Sequence, residues 1–434
     1  MKKRTSKKKT VTSQKIQVVK SLKTTLHGGH ALRTGKEVVD RSLLGKSPDK
    51  SQKISLGKKK PNQYTGHTFK NKSERFRLDG HKLLHHLDRV LDWQRNKRIA
   101  PIHIDMGLTK FCNMGCVYCM GVAQGMVKGA LIKRDALMRF IDDCGRLKVR
   151  SIAFIGDGEP TLNPAMYDAV VRAKKRNIDV GIATNGLLLR MDRAHDLLKN
   201  ATFIRFNLSA GDKKGFARIH QVSEKSFDVL IDKIRNFAKI KKENNYKCTL
   251  GIQMILLPEN FDQVLKLAKL GVKLGVDYFQ IKQCSDTEYG EIGVDHAAYK
   301  KAQGILKKAE KYSNDSYLVR VKWSKININE ETQLYKNGFR KYDICYGTPF
   351  LGQVSGNGKV YPCGPFFGKE RFCMGDIHKK SYYGIVQSAK YWKVHKDIAE
   401  NIDVHCDCTV GCRQDYINKF LWDIKNPPEH INFI

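Results

Sequence analysis

The sequence predicts an α/β fold, a parallel sheet wrapped by helices, and three observations predict it. Between residues 100 and 290, six short apolar runs alternate with segments of helical periodicity. The runs are continuously apolar, as strands covered on both faces are, and do not alternate in the manner of a half-wet sheet. The polar and glycine residues that stand out fall just past the ends of the runs, where parallel β/α folds place function.

In chain order, PIHIDMGLT reads as the first strand and leads into a cysteine-rich loop, and RDALMRFIDDCGRLK has helical spacing. VRSIAFIG is the second strand and ends in GDGEP; NPAMYDAVVRAKKR is a helix. IDVGIATNG, ATFIRFNLSAG, YKCTLGIQMILLP and VDYFQIKQC complete the strands, separated by the helices MDRAHDLLKN, SFDVLIDKIRNFAKIKK and FDQVLKLAKLGVKLG. Upstream, Leu83, Leu84, Leu87, Val90, Leu91 and Trp93 give an amphipathic helix at about 80–95. Downstream come a charged helix (AAYKKAQGILKKAEKY), a strand (YLVRVKW), and a hairpin in QVSGNGKVYPC turning at Asn357-Gly358. YYGIVQSAKYWKV reads as one helix, and the chain closes on another.

The chain has 434 residues and a net charge of +36, from 79 Lys and Arg against 43 Asp and Glu. Residues 1–60 hold a net +15, are poor in apolar runs, and read as a flexible basic tail that is either a solubilising segment or an arm for RNA or another polyanion. No run approaches 18 apolar residues, and no apolar stretch follows the cationic start, so neither a membrane span nor a secretory signal is expected and the cytoplasm is the default.

The twelve cysteines cluster. Cys112, Cys116 and Cys119 lie within eight residues in KFCNMGCVYCMG, and six more lie between 345 and 412. No disulfide framework matches these spacings, so a metal or cluster in a reducing compartment is expected. Three thiolates leave one iron of a [4Fe–4S] cluster open to an outside ligand, and three thiolates plus water also suit zinc, so residue chemistry alone leaves both open.

The spacing C-x3-C-x2-C, with Tyr118 before the last cysteine and a six-strand β/α array behind it, resembles the signature of the radical S-adenosylmethionine (radical SAM) superfamily. The resemblance covers roughly residues 100–290. It implies a partial (β/α)6 TIM-like barrel whose cluster, held by Cys112, Cys116 and Cys119, binds S-adenosylmethionine at its open iron. Reduction of that cluster releases a 5'-deoxyadenosyl radical that takes hydrogen from a substrate. Gly156, Asp157, Gly158 and Glu159 resemble the family's glycine-glycine-glutamate motif with one glycine replaced, and Glu159 would take the methionine ammonium. Thr184 and Asn185 end the third strand beneath the same cavity. Asn207 and Ser209 stand where family members bind ribose or carboxylate. Ile255 ends a segment similar to the one that packs on adenine. Lys282 and Gln283, ending strand six, are substrate-side candidates, and alternation lets only one of them face the cavity.

Residues 341–434 resemble the auxiliary-cluster extension called SPASM, or its shorter twitch form. Its full pattern has more cysteines than are present here, so one auxiliary [4Fe–4S] cluster is expected, on Cys345, Cys363, Cys408 and Cys412, with Cys406 and Cys373 as substitutes or partners; zinc stays open. The organisation expected is a basic tail at 1–60, a linker and helix at 61–99, the radical SAM partial barrel at 100–295, a connecting helix and strand at 296–340, and the auxiliary domain. Such enzymes mostly modify a peptide or protein substrate and take electrons from a reducing partner such as flavodoxin or ferredoxin. The charge favours RNA or a nucleotide sugar instead, and a non-catalytic iron–sulfur or zinc protein that binds nucleic acid is the third reading.

Overall fold

The computed structural model describes residues 80–123, 129–286, 291–326, 340–408 and 412–433. The basic tail, the segment up to 79 and Glu288, which follows strand six, lie outside the described residues.

One sheet runs through the molecule. Its strands are β1 (His103–Met106), β2 (Ser151–Phe154), β3 (Asp179–Thr184), β4 (Phe203–Asn207), β5 (Thr249–Leu256), β6 (Tyr278–Gln283), β7 (Leu318–Val321), β8 (Leu351–Val354), β9 (Lys359–Tyr361) and β10 (Gly375–Asp376). Their order is β10-β9-β8-β1-β2-β3-β4-β5-β6-β7, parallel from β8 to β7 and antiparallel at β9 and β10. The first six strands are the expected array in sequential order. The strand in YLVRVKW extends the sheet beside β6, and the hairpin strand β8 pairs parallel with β1, so the sheet passes through both expected domain boundaries without a break. Gly358 at the hairpin turn has φ +83°, a conformation that favours glycine.

Helices cover one face. They are α1 (Leu87–Gln94), α2 (Met120–Ala123), α3 (Arg134–Arg146), α4 (Met166–Lys175), α5 (Ala194–Asn200), α6 (Lys213–His220), α7 (Lys225–Glu243), α8 (Gln263–Leu274), α9 (Tyr299–Glu310), α10 (Trp323–Ile326), α11 (Tyr382–Gln387), α12 (Ala389–Asn401) and α13 (Asp415–Lys425). α7 shows why such segments are helices: Phe227, Leu230, Ile231, Ile234 and Phe237 repeat at helical spacing and are its buried side. They meet alternate strand residues such as Ile204, Phe206, Leu250 and Ile252, all fully buried in the same core. Burying side chains of this size stabilises by roughly 1.5–3 kcal/mol each. The other residues of the strands, among them Arg205, Asn207, Gln253 and Gln280, face away from this layer into the barrel.

Three elements differ from expectation. The segment at 80–95 is a 3-10 turn, Gly80–His85, followed by α1. It packs Leu83 and Val90 on Ile102, Phe350 and Leu421, below the starts of β1 and β8. The single helix expected over YYGIVQSAKYWKV breaks at Ser388, whose extended backbone ends α11 and whose Oγ accepts from Tyr391 N to cap α12. α6 has no counterpart in the sequence reading; Asp212 caps it by accepting from Gly215 N at 2.8 Å.

Candidate active site

The loop after β1 is pinned before its first cysteine. Thr109 Oγ donates to Ala130 O at 2.7 Å and accepts from Phe111 N at 3.0 Å. The end of α6 holds the rest: Gly115 N donates to His220 O, and Val117 N to Ile219 O at 3.0 Å. Cys112, Cys116 and Cys119 are half-buried; Cys116 feels the charge of both other thiols of the triad and Cys112 that of Cys119. Burial pushes the Cys116 thiol up to about 12 and raises Cys112, with Glu159 adding to the latter. Free thiolates are therefore disfavoured, and a metal centre held there would have to displace the protons.

His220 is fully buried against this triad and was not found from the sequence. Its Nε2 accepts from Ser209 N at 3.0 Å, so the ring proton sits on Nδ1, 3.1 Å from Cys116 Sγ. Burial lowers its pKa to about 3, which keeps the ring neutral. Tyr118 meets it edge-on, with ring centroids 5.7 Å apart. No motif joins His220 to Cys116 across 104 positions; only the fold of α6 does.

Gly156 and Gly158 allow the turn after β2 to lie on the cysteine loop. A Cβ on Gly158 would stand 2.3 Å from Thr109 O and 2.6 Å from Phe111 O. The close approach lets Glu159 N donate to Phe111 O at 2.8 Å and fixes Glu159 relative to Cys112. The Glu159 carboxylate is 3% exposed. Its Oε1 accepts from Thr161 N, Thr161 Oγ and Thr184 Oγ, while Oε2 accepts only from Asn185 N at 2.7 Å. Burial raises its pKa against these bonds. Asp157 turns elsewhere: it accepts from Ser355 Oγ at 2.6 Å and Gly356 N at 3.0 Å, tying the motif to the β8–β9 hairpin.

Asn185 Nδ2 donates to Asn113 Oδ1 at 2.7 Å, joining the end of β3 to the cysteine loop. Asn207 Oδ1 is buried with no hydrogen-bond partner among the described residues. Ser209 Oγ accepts from Ile255 N at 3.1 Å and so registers the ends of β4 and β5. Lys282 shares the barrel face of β6 with Gln280, whereas Gln283 is buried on the opposite face and meets His296 Nδ1.

Cys345, Cys363, Cys408 and Cys412 come together: Cys363 feels the charge of the other three, and burial raises all four thiols. Asn418 Nδ2 donates to Cys345 Sγ at 3.4 Å, and Gln414 N to Cys412 Sγ at 3.3 Å. Cys373 and Cys406 are not gathered with them. Cys373 Sγ lies against Gly375 O, and Cys406 is exposed beside Asp403. Among the described residues no three His, Cys, Asp or Glu side chains converge on one ion-sized point, so the fit of either centre rests on its donor set and burial. On those grounds the residues fit: partly buried thiols in sets of three and four, a carboxylate oxygen with capacity left, and an amide oxygen at the end of β4 with no partner among the described residues.

Residues 106–271 match the family model of the Radical SAM superfamily, so the barrel is a radical SAM domain. Beyond it, the chain has an auxiliary region of the SPASM/twitch-like kind. Its fold matches the crystal structure of Streptococcus suis SuiB bound to S-adenosylmethionine, at a TM-score of 0.54 and 15% identity over 80% of this chain and 79% of that one. In sequence it is similar to the tungsten-containing aldehyde ferredoxin oxidoreductase cofactor-modifying protein of Pyrococcus furiosus, 22% identical over 67% of this chain and 82% of that protein. It is also similar to the AdoMet-dependent heme synthase of Methanosarcina barkeri, 23% identical over 69% and 86%.

Proposed function

We propose that this enzyme reductively cleaves S-adenosylmethionine and abstracts hydrogen from a side chain of a peptide or protein. What supports it is the buried Glu159, one oxygen underused, fixed against the loop that carries three half-buried thiols, with an Asn207 Oδ1 at the end of β4 that has no hydrogen-bond partner among the described residues. When bound on Cys112, Cys116 and Cys119, a [4Fe–4S] cluster with S-adenosylmethionine supplies the hydrogen-abstracting 5'-deoxyadenosyl radical. Glu159 Oε2 takes the methionine ammonium, Asn207 and Ser209 line the ribose side, and Ile255 packs on adenine. Thr184 and Asn185 hold Glu159 in place. Cys345, Cys363, Cys408 and Cys412 hold one auxiliary [4Fe–4S] cluster, with Cys373 and Cys406 outside it.

A peptide substrate is supported by the fold's match to SuiB bound to its precursor peptide SuiA, at a TM-score of 0.54. No disulfide joins the cysteines among the described residues, in keeping with a reducing compartment such as the cytoplasm, where flavodoxin or ferredoxin supplies the electron. Among the described residues no helix is long and apolar enough to cross a membrane.

The test is anaerobic reconstitution followed by turnover with peptides bearing perdeuterated side chains. Deuterium in 5'-deoxyadenosine supports the reading. The net charge of +36 favours a second substrate class, RNA or a nucleotide sugar, engaged through the basic tail. Salt titration of RNA binding with and without residues 1–60 separates the two. A non-catalytic nucleic-acid-binding protein would give no 5'-deoxyadenosine at all.

A further inference from the structure

Arg205 lies on the barrel face of β4, between Ile204 and Phe206, which face the helices. Its Nε is buried and has no hydrogen-bond partner, and no ion pair or side-chain hydrogen bond engages its guanidinium among the described residues. Among the described residues, the titratable group acting on it is the phenol of Tyr278. A guanidinium carries five donors and cannot shed its charge, so a buried Nε–H without an acceptor is costly to hold.

Small residues flank Arg205 on both neighbouring strands. Its register neighbours are Ala183 on β3 and Gly251 on β5. The Tyr278 ring lies over Gly251, and the Phe203 ring over Gly181, filling the barrel at the level of the strand starts. Asn207 is two residues along the same face, roughly 7 Å nearer the strand ends. Arg205 is thus a cation on the barrel face of β4, below the strand ends that carry the cysteine loop.

Resting on the radical SAM peptide reading, we propose that Arg205 binds the carboxylate of an Asp or Glu side chain of the substrate peptide inside the barrel. One delocalised charge with a planar fork matches one carboxylate, which accepts two parallel N–H bonds. The peptide residue next to the abstraction site is then acidic.

The probes are acetylated, amidated Gly-X-Gly tripeptides with X as Glu, Asp, Gln, Asn or phosphoserine, titrated calorimetrically into the reconstituted enzyme with S-adenosylmethionine. Glu or Asp is expected to bind about tenfold or more tighter than its amide isostere, the worth of a charge-assisted pair. Arg205→Gln is expected to abolish that preference and Arg205→Lys to keep part of it. Iron content and far-ultraviolet circular dichroism check both variants, and if neither folds the wild-type peptide series decides. Equal binding of Glu and Gln, no binding by any peptide, a preference surviving in Arg205→Gln, or phosphoserine outranking both acids overturns the proposal. Uncoupled 5'-deoxyadenosine formation by the wild-type enzyme without peptide reports the radical reading separately. If it forms while Glu and Gln bind alike, only the role of Arg205 falls.

Discussion

A carboxylate that is 3% exposed has to be met by donors, and Glu159 is met by Thr161, Thr184 and Asn185 on three sides. Its uneven use, three bonds on Oε1 and one on Oε2, leaves the second oxygen for a cation. Glu159→Gln keeps the volume and removes the charge. The expected result is a loss of S-adenosylmethionine affinity of about tenfold or more with iron content retained, measured by equilibrium dialysis. His220 acts on the cluster side. Its Nδ1–H directed at Cys116 Sγ favours the more negative, reduced state of a cluster held there. His220→Phe is expected to lower the midpoint potential of that cluster in an electron paramagnetic resonance redox titration. An unchanged potential with full iron loading would make His220 a packing residue only. Cys112, Cys116, Cys119 and Glu159 are expected site residues on local motifs alone, because their spacing is itself the signal. His220 and Arg205 are not, since what matters about each is a partner, or the lack of one, across the barrel.

Among the elements, the β8–β9 hairpin binds the two cysteine regions together. Ser355 and Gly356 donate to Asp157, and a Cβ on Gly356 would stand 2.2 Å from the carbonyl carbon of Thr109. The residue that departs from the glycine motif is therefore one of those that tie the barrel to the auxiliary region. Asp157→Ala strands two donors and is expected to cost roughly 1–3 kcal/mol, read from urea unfolding of the cluster-free protein. α12 carries a second ledger. His395 is 6% exposed, its Nδ1 meets Thr348 Oγ at 2.8 Å, and burial lowers its pKa to about 3. Between about 6.5 and 3 the unfolded chain binds a proton that the folded chain refuses, so stability falls as pH falls through that window. His395→Phe is expected to flatten the pH dependence by about 1.4 kcal/mol per unit in urea titrations at pH 7, 6 and 5. Strand and helix types were legible because their apolar periods are strong. The break at Ser388 and the short α6 were not, since each depends on a single capping side chain.

At the scale of the molecule, one sheet carries both thiol sets. The auxiliary thiols come from the segments on either side of the hairpin, and those segments converge because β8 pairs with β1. That pairing joins residues about 250 positions apart, and no local pattern announces it. Yet Cys345, Cys363, Cys408 and Cys412 were the four chosen from spacing and from the resemblance. Cys408→Ala is expected to lower iron by about four per chain while leaving substrate-free 5'-deoxyadenosine formation in place, measured by colorimetric iron assay and chromatography.

The most direct test of the account is product analysis after anaerobic reconstitution and dithionite reduction in the presence of S-adenosylmethionine, for the wild-type chain beside Cys112→Ala, Cys116→Ala and Cys119→Ala. The account predicts 5'-deoxyadenosine and methionine in equal amounts from the wild type, and neither from any of the three variants. Zinc at the first triad, or a fully loaded and reducible cluster that leaves S-adenosylmethionine intact, would contradict it.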